Sequence, residues 1–231
     1  MTAAPFRIGF LLFPRLTQLD LTGPYEILSR MPGAETHLIA KSLEPVRSER
    51  GLQLLPTTTL ALCPPLDLLC VPGGAGVNEV MTDGEMLSFI RRAAADARYV
   101  TSVCTGSLAL GAAGLLRGRR AACHWMSREA LKAFGAEPVA ERVVVDGRFI
   151  TGGGVTAGID FALAVVDEIC GREAAETIQL VVEYDPEPPF AAGSTARASA
   201  AVVARVRALA EPMLQERAAA VRRAAAALSG G

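Results

Sequence analysis

Long apolar runs are missing from this 231-residue sequence. The run from Ile8 to Phe13 is stopped by Pro14, far short of the ~20 residues that span a bilayer. It carries neither the basic flank nor the cleavage pattern of an export signal. Net charge is missing too: 23 Lys and Arg stand against 24 Asp and Glu, a formal −1. Such a balance gives no electrostatic footprint for nucleic acid or an anionic membrane. Histidine is scarce, with only His37 and His124. The five cysteines, Cys63, Cys70, Cys104, Cys123 and Cys170, form no CxxC pair and no zinc-type spacing with them. The expectation is therefore a cytoplasmic protein with free thiols and no metal, nucleic-acid or membrane partner.

Hydrophobic residues make up 51% of the chain, enough at this length for folding to hide about 70% of the unfolded surface. Arg7 to Phe13 reads as a buried strand. A helix follows to about Ser29, with Pro24 in an early position. Glu35 to Ala40 reads as a second strand, and residues 44–60 as short strands or a hairpin. Leu66 to Val71 is a fully apolar run ending in Pro72-Gly73-Gly74, which suits a parallel strand covered on both faces. Asn78 to Ala97 reads as helical with a break at Asp83-Gly84, Tyr99 to Val103 as a strand, and Ser107 to Leu116 as a buried helix closed by Gly118. Arg142 to Ile150 suggests strands turning at Asp146-Gly147. Helices are expected over Ala157 to Cys170 and Glu173 to Glu183. A loop with three prolines runs from Asp185 to Thr195. Residues 198–231 read as an Ala/Arg-rich helical tail whose arginines, Arg205, Arg207, Arg217, Arg222 and Arg223, form a solvated face. Neither a repeat nor a linker divides the chain, so one domain over residues 1–231 is expected. Alternating strands and helices imply an α/β fold, a doubly wound parallel sheet with helices on both faces.

Val103-Cys104-Thr105-Gly106-Ser107 stands where a strand runs into an apolar helix. Ligands of open α/β sheets sit at the carboxyl ends of strands, and a side chain at such a sharp turn is pushed into that crevice as a nucleophile elbow. The helix N-terminus supplies unpaired N–H groups and positive potential, both favouring a thiolate. The other four cysteines lack this placement and read as core fillers. Asp20, flanked by leucines just after the first strand, has two readings. It is either a helix N-cap or a desolvated acid that keeps its proton beside the thiol. Glycines after a strand let backbone N–H groups approach a ligand, so Gly74 and Thr105 are candidates to orient substrate or stabilise an oxyanion. His124 and Gly153 are candidates to stand behind the site. A nucleotide site is not supported: Gly74-Ala75-Gly76 lacks the third glycine, and Thr151-Gly152-Gly153-Gly154 lacks the Lys of a P-loop.

A glycine pair after one strand, a cysteine at the elbow after a later one and an acid after the first resemble the DJ-1/PfpI superfamily. Closer motifs resemble its isocyanide hydratase branch: Gly9-Phe10-Leu11-Leu12-Phe13-Pro14, Gln18-Leu19-Asp20-Leu21-Thr22-Gly23-Pro24, Cys63-Pro64-Pro65-Leu66-Asp67, Tyr99 to Leu108, Thr151 to Leu163, and Glu183-Tyr184-Asp185-Pro186-Glu187-Pro188-Pro189-Phe190. The resemblance implies a flavodoxin-like sandwich that forms a homodimer. It also implies attack of Cys104 on an isocyanide, with Asp20 shuttling the proton and no cofactor. Thr105 stands where the protease-like branch has a histidine, which argues against a peptidase. Two other readings use the same residues. One is a ligand-sensing domain like those that open transcription regulators, although residues 196–231 leave room for only one or two further helices. The other is a glyoxalase-like or redox-sensing member of the superfamily.

Overall fold

The computed structural model describes residues 4–230. In chain order the elements are β1 (Phe6–Leu11), α1 (Gln18–Leu28), β2 (Ala34–Ala40), β3 (Val46–Arg47), β4 (Gln53–Leu54), β5 (Thr58–Thr59), β6 (Leu68–Val71), α2 (Val77–Val80), α3 (Gly84–Asp96), β7 (Tyr99–Val103), α4 (Gly106–Ala112) and β8 (Arg120–Ala121). A 3-10 helix (Arg128–Phe134) follows, then β9 (Glu137–Pro138), β10 (Val143–Asp146), β11 (Phe149–Gly152), α5 (Ala157–Cys170), α6 (Arg172–Val181) and α7 (Ala200–Ser229).

Seven strands form the central sheet in the order β10-β11-β7-β6-β1-β2-β5. All its pairings are parallel except β10 with β11, which make an antiparallel hairpin at one edge. The doubly wound α/β architecture is the one the apolar strands predict. Leu68, Leu69, Cys70 and Val71 of β6 are all fully buried, as a strand covered on both faces must be. Ile8, Phe10, Phe13 and Phe161 lie in the same core. Each such side chain contributes about 1.5–3 kcal/mol by leaving water.

The register brings three strand ends together. Phe10 of β1 pairs with Cys70 of β6, and Val71 of β6 with Ser102 of β7. The segments that leave these strands therefore emerge side by side on one edge of the sheet.

Three local expectations are corrected. Pro24 lies in the middle of α1, not in its first turn. It has no N–H to give the Asp20 carbonyl one turn back, and Gly158 of α5 packs closely against its ring. The buried helix after the elbow ends at Ala112, because Gly114 adopts φ 81° and turns the chain there. The C-terminal helix is not a uniformly solvated face. Its second half buries Arg217, Ala220, Val221 and Ala224 against the body, while most of residues 200–216 is exposed. Among the described residues no helix is long and apolar enough to cross a membrane.

Candidate active site

Cys104 occupies the turn between β7 and α4 with φ 57°. Such a left-handed conformation costs a non-glycine residue about 1–2 kcal/mol. It persists because its surroundings fix it on both sides. The Cys104 N–H donates to the Gly152 carbonyl of β11 at 3.0 Å. Ser107 Oγ donates to the Cys104 carbonyl at 3.2 Å. Gly106 makes the tight turn possible, since any side chain there would run into the Val71 carbonyl. This is the strained strand-to-helix turn that presents a nucleophile.

Asp20 is the third residue of α1, and Thr17 holds the N-cap position. The capping reading of Asp20 is thereby excluded. Its side chain points away from its own helix and is fully buried. Oδ2 accepts the Gly73 N–H at 3.0 Å. Oδ1 is buried without a well-formed hydrogen bond, and the side chain that interacts with the carboxyl is the Cys104 thiol. Burial pushes the Asp20 carboxyl up to about 7. The thiol and the Gly73 N–H act against that rise, and the charge of Glu49 adds to it.

Cys104 is only 5% exposed. Burial, followed by the charge of Asp20, holds its thiol well above the ordinary value, although the Thr105 N–H favours the thiolate. The helix N-terminus therefore does not by itself produce a standing thiolate. Two buried groups that both resist charge titrate as a pair, and the doubly ionised state is the costly one. Below about pH 7 the pair keeps both protons, and above it one proton is shared between the two.

The glycine pair builds the other wall. Gly73 faces the gap between Asp20 and Thr105. A Cβ there would lie 2.7 Å from Asp20 Oδ2 and 2.7 Å from Thr105 Oγ1, so the position must be glycine. The Gly74 N–H does not face an open pocket. It donates to Thr105 Oγ1 at 3.0 Å, so the expectation that Gly74 offers a free donor to substrate is corrected. Gly74 braces Thr105, and it is the N–H of Thr105 that faces sulfur.

His124 is partly buried beside Gly154, and its Nδ1 accepts the Met126 N–H at 3.4 Å. Burial, helped by the charge of Arg217, lowers its pKa to about 4, so it is a neutral imidazole at physiological pH. The Gly153 N–H donates to the Arg142 carbonyl at 2.9 Å, one residue beyond the Gly152 carbonyl that holds Cys104. Burial raises the thiols of Cys63, Cys70, Cys123 and Cys170. Among the described residues no three His, Cys, Asp or Glu side chains are grouped to hold a metal. A cavity of about 570 Å³ opens near the same sheet edge, bordered by Phe13, Arg15, Lys41 and Glu79. Neither Cys104 nor Asp20 lines it.

Sequence reasoning missed two residues. Gly73, rather than Gly74, gives its N–H to the acid; only the position of Asp20 relative to the strand ends could have told them apart. Arg217, taken for a solvated residue, is 5% exposed, and its Nη2 donates to the Gly74 carbonyl at 3.0 Å. No local pattern in the Ala/Arg-rich tail separates it from its exposed neighbours.

The model of the DJ-1/PfpI family matches residues 6–168. The chain belongs to the DJ-1/PfpI family. Within that family it is 56% identical over 223 residues to the isonitrile hydratase of Pseudomonas putida, covering 96% of this chain and 98% of that protein. The match sets this DJ-1/PfpI chain in the isocyanide hydratase branch. A crystal structure of a ThiJ/PfpI family protein from Pseudomonas syringae superposes with a TM-score of 0.92 at 44% identity, covering 94% of this chain and 91% of that one. The transcriptional regulator GbdR of Pseudomonas aeruginosa is 31% identical over 189 residues, covering 78% of this chain and 51% of the regulator. Drosophila melanogaster DJ-1beta, at 21% identity and a TM-score of 0.73 over 80% of this chain and 100% of that one, shares the fold.

Proposed function

We infer that this protein is an isocyanide hydratase, converting R–N≡C and water to the formamide R–NH–CHO, with Cys104 as nucleophile and Asp20 as proton shuttle. The near full-length likeness to the Pseudomonas putida enzyme supports the reaction class. The observation that carries the residue roles is a fully buried carboxyl, its pKa about 7, held by Gly73 across a narrow gap from the Cys104–Thr105 turn.

An isocyanide carbon accepts a nucleophile and a proton at the same atom. The sulfur of Cys104 forms the S–C bond, and the proton shared with Asp20 goes to that carbon, giving the thioimidate R–N=CH–S. Asp20, now a carboxylate, takes a proton from water as the water oxygen bonds to the same carbon, and passes that proton to the nitrogen, giving R–NH–CH(OH)–S. The C–S bond then breaks as the hydroxyl becomes the formamide carbonyl, and the hydroxyl proton returns to the Asp20–Cys104 pair. Covalent catalysis of this kind divides one difficult addition into two easier ones. The Thr105 N–H would stabilise negative charge near sulfur. No cofactor enters the sequence of steps. The slight exposure of Cys104 suits a linear, narrow end group of this kind better than a bulky carbonyl.

The deciding experiment measures formamide formed from an alkyl or aryl isocyanide, alongside methylglyoxal consumption, for the wild-type protein and Cys104→Ala. Turnover of the isocyanide only, reduced by at least ~10⁴-fold in Cys104→Ala, is expected. Unreduced turnover in that variant would remove the mechanism, and preferential consumption of methylglyoxal would favour a glyoxalase.

A cytoplasmic homodimer of single-domain chains completes the reading. Leu180, Val181, Phe190 and Leu209 are 80%, 65%, 79% and 77% exposed, apolar side chains on α6, the following loop and the first half of α7 of the kind that a second copy would cover. Sedimentation as a monomer at micromolar concentration would exclude that part.

A further inference from the structure

Among the described residues only two acidic or basic side chains are buried, Asp20 and Arg217. They come from opposite ends of the chain and serve the same turn. Arg217 is held by three neutral acceptors. Nε donates to Asn78 Oδ1 at 3.0 Å, Nη1 to Ser127 Oγ at 2.9 Å and Nη2 to the Gly74 carbonyl at 3.0 Å. No ion pair among the described residues includes it. Breaking a buried pair, or leaving a buried charge unpaired, is among the costlier features a fold carries, and an arginine cannot escape by losing its proton. A cation kept in such a place calls for an anion that forms during function.

The candidates for that anion are close by. The ionised forms of Cys123 and Cys104 favour the charge on Arg217 most, followed by the charges of Glu49 and Glu79, against the burial that opposes it. Two hydrogen bonds link the guanidinium, through Gly74, to Thr105, the residue that follows Cys104. Arg217 holds the Gly74 carbonyl, the Gly74 N–H holds Thr105 Oγ1, and the Thr105 N–H faces the Cys104 sulfur.

We propose that Arg217 is a positioning residue for the reactive pair: through the Gly74 peptide it fixes Thr105 and the Cys104 turn, and its unpaired charge favours the anionic form of the Asp20–Cys104 pair. The proposal rests on the reading of Cys104 as the reactive thiol, not on the identity of the substrate. It makes α7 part of the site, although the matched family region ends at residue 168, well before Arg217. The other ionisable groups coupled to the pair are Glu49 between β3 and β4, Cys70 on β6 and Cys123 after β8; those coupled to Arg217 or Cys123 are Glu79 on α2, His124 after β8 and Arg128 on the 3-10 helix. Of the cations among these groups, only Arg217 is buried.

The test is the rate of Cys104 alkylation by iodoacetamide as a function of pH, read at the Cys104 peptide by mass spectrometry. It compares the wild type with Arg217→Met, Arg217→Gln and Arg217→Lys. The neutral variants should shift the alkylation profile upward by about one pH unit, slowing reaction at pH 7 about tenfold. Arg217→Lys should keep the profile within about threefold. A folded neutral variant with the wild-type profile would overturn the proposal. So would failure of both neutral variants to fold beside a normal Lys variant, which would assign the residue to stability alone. Alkylation needs no isocyanide, so absence of hydratase turnover in the wild type would strike the proposed function and leave this measurement standing.

Discussion

The Asp20 carboxyl, in the first turn of α1, and the Cys104 thiol, at the end of β7, interact in a setting that opposes charge on both. Sheet order explains the meeting. β6 separates β1 from β7, and Gly73 and Gly74 follow its end at Val71. The N–H of Gly73 holds the acid. With no side chain between them, the carboxyl and the thiol can touch across the glycine turn.

The pH dependence of turnover follows from that pair. Its first proton leaves near pH 7, the raised value of Asp20, and the second leaves only far above the ordinary thiol range. The attacking monoanion therefore accumulates as pH rises through about 7 and persists to high pH. A kcat/KM profile that climbs through an apparent pKa near 7 and then holds level is expected. A profile flat from pH 5 to 9 would show that this pair does not control the reaction.

Asp20→Asn should lose at least ~100-fold in kcat, the usual contribution of a positioned acid–base group, while gaining stability. The sign is fixed by linkage. A carboxyl near 3.8 in the unfolded chain and near 7 in the fold destabilises the native state increasingly from about pH 4 to pH 7, and by a constant amount above. The upper bound is about 4 kcal/mol. Denaturant melts at pH 4.5 and pH 8 should show the Asn variant more stable than wild type by an amount about four times smaller at the lower pH than at the higher. Equal melts at both would mean that the carboxyl is not carried at that cost.

Much of this arrangement was legible because punctuation and apolar runs coincide. β7 spans Tyr99–Val103 and α5 spans Ala157–Cys170, where β-branched residues and an apolar run after three glycines put them. Asp20 and Cys104 stood out because each breaks an apolar context next to a strand end. What could not be read depended on distant chain. Arg217 finds Asn78, Ser127 and Gly74 only after α7 packs across α2 and the 3-10 helix. The state of the thiol also escaped the sequence. A helix N-terminus is a local signal favouring the anion, whereas the burial that outweighs it is a property of the whole core.

Gly73→Ala should abolish turnover with a modest loss of stability. The added Cβ would press on Asp20 Oδ2 and on both the backbone nitrogen and Oγ1 of Thr105. It would force apart the two groups that must share a proton. A 1 Å displacement at reacting atoms can cost ~100-fold in rate. Calorimetry beside a formamide assay separates this from unfolding. An active Gly73→Ala enzyme would mean that the gap between Asp20 and Thr105 is not where the chemistry occurs.

Thr105→Val keeps the shape of the side chain and removes the oxygen that accepts the Gly74 N–H. A buried donor left without its partner costs about 1–3 kcal/mol, so the melting temperature should fall. The turn that aims the Thr105 N–H at sulfur should also loosen, slowing turnover. Thr105→Ser, which retains the oxygen, should recover most of both. If Val and Ser behave alike, Oγ1 is not what ties Gly74 to the elbow.

Strain at the elbow gives a comparison that does not depend on activity. Cys104 sits at φ 57°, where alanine keeps the backbone penalty and glycine has none. Removing a side chain from a buried position ordinarily destabilises, so glycine would ordinarily be worse than alanine. Here the order should reverse: Cys104→Gly should be more stable than Cys104→Ala by about 0.5–1 kcal/mol, with both inactive. Chemical denaturation of the two variants measures the difference directly. If alanine is instead the more stable, the turn relaxes once the sulfur is gone, and the conformation is held by the contact of Cys104 with Asp20 rather than imposed by β11 and α4.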